Sequence, residues 1–274
     1  MSDWVTLTSR AGLTAPISMH AIQPQRLADM SEREIAATLV TAGRRTVPLG
    51  ELFSVTGEHS SRVKVIGSTR QLEGLGAGMG DGELVIEGDA GADVGVGMTR
   101  GTIHLQGSAG DGAGAGMSGG VLRIDQNAGD RLAAALPGAS KGMTGGEVIV
   151  RGSVGRDAAA HARRGLIVVG GDTLSDGARA MIAGTLIVLG TCGDAPGRGN
   201  KRGTIVACGS ISIPATYRYA CEYHPPHLRL TLLYLTRRFG IDMPPRLLNA
   251  RYRRYCGDAG DPGKGEILEV VHDV

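Results

Sequence analysis

Glycines recur along this chain at a fixed interval, and the interval decides what the chain can fold into. Gly82, Gly101, Gly120, Gly146, Gly165, Gly184 and Gly203 each open a short aliphatic run, at spacings of 19, 19, 26, 19, 19 and 19 residues. The long interval is a 19-residue unit with seven extra residues, placed within Leu132 to Gly142. A constant period of this size marks a solenoid, in which each unit buries its apolar side only by stacking on its neighbours.

Each unit has the same internal grammar. Aliphatic residues follow the opening glycine at two and four positions, as Leu84/Ile86, Ile103/Leu105, Leu122/Ile124, Val148/Val150, Ile167/Val169, Leu186/Val188 and Ile205/Ala207. This alternation is that of a strand with one buried face. A second glycine closes most runs, and a half-turn of small residues follows. The expected fold is therefore mainly β, a right-handed parallel β-helix of about seven 19-residue glycine-rich rungs. Stacked at roughly 4.8 Å, seven rungs make a rod about 34 Å long. Such a rod has a narrow interior, and no aromatic residue falls between Leu72 and Gly209.

Two other repeat folds fail on arithmetic. Hexapeptide helices close at multiples of six, which 19 is not. Calcium-binding nonapeptide helices need an aspartate at one fixed place per repeat. The best-matching places hold Asp93, Gly112, Asp157, Asp176 and Ala195, so the aspartate is missing from two of five.

The chain divides into a cap over residues 1–56, the β-helix over 57–209, and a C-terminal helix and tail over 210–274 that pack on the rod or on a partner. In the cap, Val5–Thr8 and Ile17–Ile22 read as strands. Ser31 and Glu34 form a capping box for a helix. Gly43 is expected to stop it, with Arg44 and Arg45 at its C-terminal end. Residues 57–71 read as a lead-in turn, with RVKVIG (Arg62 to Gly67) out of phase by two. In the last segment a helix is expected from Pro225 or Pro226 to Gly240, with Leu228, Leu232 and Leu235 on one face.

A net charge of +2 argues for neither nucleic-acid nor membrane binding. The N-terminal MSDWVTLTSR has no basic and apolar regions of a cleavable leader. No apolar run approaches the ~18 residues of a membrane span. A cytoplasmic location is expected. Cys192, Cys208, Cys221 and Cys256 contain no closely spaced set of the kind that holds an iron–sulfur cluster, and they read as reduced thiols.

No catalytic set emerges. The histidines are His20, His59, His104, His161, His224, His227 and His272. Only His224 and His227 lie close together, with Glu222 as the nearest further ligand, too few for a metal site. G-x-S-x-G occurs around Ser118 and Ser140, but neither serine sits on a strand-to-helix turn. We expect no catalytic residue and no metal ligand on this chain.

Two surface features carry more. The outward residue in the middle of each strand is Val85, His104 and Arg123 in the first three, a mixed face. In the last four it is Ile149, Val168, Ile187 and Val206, an apolar stripe that something must cover. The C-terminal helix, a partner subunit at an interface, or both are expected to cover it. The second feature is cationic. Arg163/Arg164 and Lys201/Arg202 occupy equivalent places just before an opening glycine. With Arg198 they form a ridge suited to carboxylates, a candidate site for an acidic chain.

The repeat resembles the β-helical C-terminal domain of the large glutamate synthase polypeptide. It resembles more closely the C subunits of formylmethanofuran dehydrogenase and of the bacterial formyltransferase/hydrolase complex. RYRRYCGD and GKGEIL (Arg251 to Asp258 and Gly263 to Leu268) are similar to the C-terminal signature of those C subunits. The resemblance implies a non-catalytic scaffold in one-carbon metabolism, with the A, B and D subunits of the same complex as partners. Of these, A is implied to be a metal-dependent amidohydrolase, B to be of molybdopterin type, and D to carry the formyltransferase or pterin-related function. The cofactor implied for the complex is a methanofuran-type carrier with an oligoglutamyl tail, which the ridge is placed to hold. Arginine far exceeds lysine, which favours a high-GC bacterial source and so the formyltransferase/hydrolase complex. The alternatives are the C subunit of the dehydrogenase and a glutamate synthase-like interaction module.

Overall fold

The computed structural model describes residues 3–10, 12–260 and 263–271; His272 lies outside them. The chain begins with β1 (Val5–Ser9), β2 (Ile17–Ser18), helix α1 (Pro24–Leu27) and helix α2 (Glu32–Ala37). A hairpin of β3 (Leu39–Ala42) and β4 (Arg45–Pro48), a short α3 (Leu49–Leu52) and β5 (Phe53–Thr56) follow. The Ser31 capping box is formed, with Glu34 N–H donating to Ser31 Oγ at 3.4 Å and Ser31 N–H to Glu34 Oε2 at 2.8 Å.

The helix expected to run to Gly43 stops at Ala37. From Thr38 the chain is rich in β-branched residues, which favour an extended backbone. Val40 and Val47 pair across the hairpin and are both buried. Gly43, with φ +59°, starts the two-residue turn between its strands. Gly43 is therefore a hairpin glycine, and Arg44 belongs to its turn.

β6 (Arg62–Ile66) and β7 (Leu72–Glu73) lead into seven strands in succession. These are β8 (Glu83–Glu87), β9 (Thr102–Leu105), β10 (Val121–Ile124), β11 (Glu147–Val150), β12 (Leu166–Val169), β13 (Thr185–Val188) and β14 (Thr204–Ala207). Each pairs in parallel with the next, so that Leu84, Ile103, Leu122, Val148, Ile167, Leu186 and Ile205 stack in one column. Their side chains are almost wholly buried. On another side, Ala90, Ala109, Ala128, Val154, Thr173 and Cys192 form a second series of parallel bridges. β6 joins the column through Val63 opposite Leu84, an offset of 21 that accounts for its phase in the sequence. β1 adds a further parallel strand, Val5 opposite Val63.

The aspartate column has a conformational cause. Asp93, Gly112, Asp157, Asp176 and Ala195 all have φ between +53° and +75°. Glycine and aspartate are among the residues that enter the left-handed region most readily. Beside the second bridge series runs a polar spine. Asp89 Oδ1 accepts from Ser108 N–H at 2.8 Å, Asn127 Oδ1 from Ser153 N–H at 2.8 Å, and Asp172 Oδ1 from Thr191 N–H at 2.6 Å. Ser108 and Ser153 continue it through their hydroxyls.

The C-terminal part consists of β15 (Arg218–Tyr223), α4 (Pro226–Phe239), α5 (Pro245–Leu248), β16 (Tyr252–Gly257) and β17 (Gly265–Val270). β17 does more than pack on the rod. It pairs in parallel with β14, Ile267 opposite Ile205 and Leu268 opposite Val206, and so continues the stack. β16 and β15 extend it antiparallel, completing a sheet of 13 strands that ends at β5. Fully buried Asn200 secures the turn before β14, donating to Gly203 O at 2.9 Å and accepting Gly203 N–H at 2.7 Å.

α4 closes over the apolar stripe. Ile149, Val168, Ile187 and Val206 are at most 1% exposed and form one cluster with Leu228, Leu232, Leu235 and Phe239 of the helix. The partner-interface reading of those four residues is thereby corrected, because the chain's own amphipathic helix has sequestered them. Burying four aliphatic side chains contributes on the order of 6–12 kcal/mol before entropic costs. Polar contacts fix the helix at its far end. Tyr234 Oη donates to Glu147 Oε1 at 2.7 Å, and Arg151 Nη2 donates to the carbonyl of Phe239 at 3.2 Å. Gly240, at φ +61°, ends the helix.

Candidate functional site

The cationic corner is built by three successive turns. In each, a residue turned into the rod precedes two residues turned outward, and then the opening glycine. The backbone suspends each turn from the one before. Arg163 N–H donates to Met143 O (2.8 Å), Ile182 N–H to Ala162 O (2.7 Å) and Lys201 N–H to Met181 O (2.8 Å). Met143, Ala162 and Met181 are buried, so the outward pairs are held in register by the core. The pairs are Arg163/Arg164, Ile182/Ala183 and Lys201/Arg202, and they line a single open groove of about 450 Å³.

All four cations are exposed, and none has a carboxylate within ion-pair distance among the described residues. The two pairs are two turns apart, about 9.6 Å. That slightly exceeds the screening length of about 8 Å at physiological salt, so each pair acts on an anion locally and their joint field grows as salt falls. Between them the floor is the apolar pair Ile182/Ala183, which offers no competing acceptor side chain. The groove can take an anion with several charges by bidentate arginine contacts. Arg198, expected to be a fifth member, is diverted. It pairs with Asp176 at 2.7 Å and does not line the groove.

The mixed outward face is a second polar grouping. Asp125 Oδ2 lies 2.7 Å from His104 Nε2, and Arg123 Nε donates to Asp125 Oδ1 at 2.8 Å. Burial pushes the Asp125 carboxyl up, but the bonds from His104 and Arg123 outweigh it and hold it below the ordinary carboxylate value. No group of three or more His, Cys, Asp or Glu close enough to hold a metal ion occurs among the described residues. Cys192 and Cys208 are buried and their thiols are pushed up to about 12, chiefly by burial; Cys221 is exposed and Cys256 half-buried. Among the described residues, no helix is long and apolar enough to cross a membrane.

Sequence reasoning missed the spine and β17. Both left a signal. The spine residues recur at the repeat interval, and Gly265 opens its strand as Gly203 does, with Ile267 two positions on.

No family model matches the chain. A chain of the formyltransferase/hydrolase complex FhcABCD from Methylorubrum extorquens, solved in complex with methylofuran, matches it at a TM-score of 0.88 and 32% identity, over 97% of this chain and 100% of that one. The C subunit of the formyltransferase/hydrolase complex of Methylorubrum extorquens is 33% identical over 86 residues, 31% of this chain and 32% of that protein. The C subunit of the tungsten-containing formylmethanofuran dehydrogenase 2 of Methanococcus maripaludis is 29% identical over 87 residues, again 31% of this chain and 32% of that protein. These alignments span about a third of the length of the curated relatives.

Proposed function

The chain belongs to the family of C subunits of formyltransferase/hydrolase and formylmethanofuran dehydrogenase complexes, and on that premise we propose that it is the non-catalytic scaffold of a formyltransferase/hydrolase complex. The observation that carries this reading is the whole-length match, which takes in the cap, the stack, α4 and the C-terminal strands together. In this reading the chain is a right-handed parallel β-helix in the cytoplasm. It positions the A, B and D subunits, and chemistry is left to them. The complex moves a formyl group from formyl-tetrahydromethanopterin to a methanofuran analogue and hydrolyses it to formate, with the metal on the amidohydrolase partner.

The groove of Arg163, Arg164, Lys201 and Arg202 then has a role. It holds the carrier's acidic tail while the formyl-bearing head moves between active sites. The supporting observation is four exposed cations without ion-pair partners among the described residues, around an apolar floor. In the intact complex, replacing all four by Ala raises the apparent KM for the carrier and flattens its dependence on salt. Unchanged kinetics at low and high salt remove the carrier role and leave the scaffold role standing.

A second reading, the C subunit of a formylmethanofuran dehydrogenase, is favoured by the identity to the tungsten-containing relative. Purification of the tagged chain with its partners separates the two. Companion subunits with zinc and no cluster absorption support the first reading. Tungsten or molybdenum with iron–sulfur absorption supports the second, and a monomer without companions overturns both.

A further inference from the structure

The segment from Glu222 to His227 carries two histidines around two prolines, and the proposed function does not use them. Some of its polar groups are already committed. Glu222 is paired with Arg251 at 3.0 Å and Arg253 at 3.5 Å. His224 Nδ1 lies 3.1 Å from the carbonyl of Ala250. A carbonyl only accepts, so Nδ1 carries the proton and Nε2 is left without a protein partner among the described residues.

These residues build a cleft at the amino end of α4. Pro225, Pro226, Leu247, Leu248 and Tyr252 line a pocket of about 290 Å³ together with His224 and Arg229. A second pocket of about 530 Å³ is lined by Arg246, Arg251, Val270 and Val271. The two share His224, Asn249 and Ala250 and so form one two-lobed cleft. The Tyr252 hydroxyl is used on Leu247 O at 3.3 Å and its ring is buried, so Tyr252 backs the first lobe while Pro226 and Leu248 supply its open apolar surface. Among the described residues, no aspartate or glutamate lines either lobe. Of the three arginines, only Arg251 has a carboxylate within ion-pair distance among the described residues. The positive end of the α4 dipole adds to the same field.

We propose that this cleft binds a small aromatic carboxylate. Its ring lies against Pro226 and Leu248, and its carboxylate is held by the guanidinium group of Arg229 in the first lobe, with Arg246 of the second lobe adding positive charge. An apolar lobe beside uncompensated arginines selects for that combination. An inorganic anion gains nothing from the first lobe, and a neutral ring leaves the arginines unsatisfied. The site is separate from the carrier groove and does not depend on it.

The test uses the full chain, with 4-hydroxybenzoate as probe, its neutral amide and inorganic phosphate as comparisons, and saturation-transfer NMR with thermal melting as readouts. The acid is expected to bind at least about tenfold more tightly than the amide and than phosphate, a difference of about 1.4 kcal/mol. Changing Arg229→Gln and Arg246→Gln together should remove that preference, and changing Arg163→Ala and Arg202→Ala should leave it intact. Equal binding of acid and amide overturns the proposal, and so does retention of the preference in the Arg229/Arg246 variant. The comparison of acid with amide is made on the unmodified chain and needs no variant to fold. Absence of acid binding at about 10 mM also overturns it.

Discussion

Replacing Ile187 by alanine tests whether α4 is held by the stripe. Ile187 is fully buried in the cluster shared with Leu232 and Leu235, while its neighbour Leu186 is buried in the rod interior. Removing a buried isoleucine down to alanine costs about 2–5 kcal/mol. In a stacked architecture this loss is expected to act locally first, by undocking α4 while the turns stay paired. Amide exchange along Leu228–Phe239 should then accelerate about 30- to 5,000-fold, the range that corresponds to 2–5 kcal/mol. Exchange in β8–β10 should stay within a few-fold of the parent. Leu186→Ala is the control. It should destabilise β12–β14 as much, with no selective effect on α4. Hydrogen exchange read by mass spectrometry on both variants resolves the two regions. If α4 protection is unchanged in Ile187→Ala while overall stability falls, the stripe does not anchor the helix and the reasoning is wrong.

Three further outcomes follow from the same geometry. Asp125 has its folded-state value held below the ordinary 3.8, so its stabilising contribution is present above 3.8 and is lost as pH falls below that value. Melting of Asp125→Asn should therefore show a shallower acid limb than the parent below about pH 4. Gly97 and Gly107 should respond differently to alanine. A Cβ at Gly97 (φ +64°) meets nothing within 4 Å, so only the left-handed backbone cost of about 1–2 kcal/mol applies. A Cβ at Gly107 falls 2.4 Å from the backbone of Gly88 on the previous turn, and chemical denaturation should show a loss above about 3 kcal/mol. Maleimide labelling of the folded chain should reach exposed Cys221 and leave Cys192 and Cys208 unmodified, since both are buried with thiols pushed up to about 12.

What could be read beforehand depended on how local the cause was. Strands from Glu83 to Ala207 were legible because alternation and glycine spacing are properties of each turn. α4 was legible from its proline start, leucine face and glycine stop. The end of α2 was not, because the helix competes with a hairpin whose decisive contact, Val40 with Val47, forms only once the chain turns at Gly43. The stripe was legible as a surface needing cover, but the choice of cover depends on how the chain returns from Ser210 to Pro226. β17 escaped notice because 62 residues separate Gly203 from Gly265, and its pairing with β14 is set by the intervening segment. Of the cationic residues, the equivalence of Arg163/Arg164 and Lys201/Arg202 placed them together. Arg198 was lost to Asp176, a pairing between turns that the sequence did not reveal.

α4 also works as a ruler. Its 14 residues make a helix about 21 Å long. The strands whose outward residues it covers, β11 to β14 and β17, span four spacings, about 19 Å. The two lengths agree, so the number of turns in this half of the rod is tied to the length of one helix. An extra 19-residue unit between β11 and β14 would push an apolar turn past the end of α4 into water. The same unit placed among β8–β10, where Val85, His104 and Arg123 face outward without the helix, would lengthen the rod and leave the seal intact. Growth and shrinkage of this architecture are therefore permitted at one end and measured at the other.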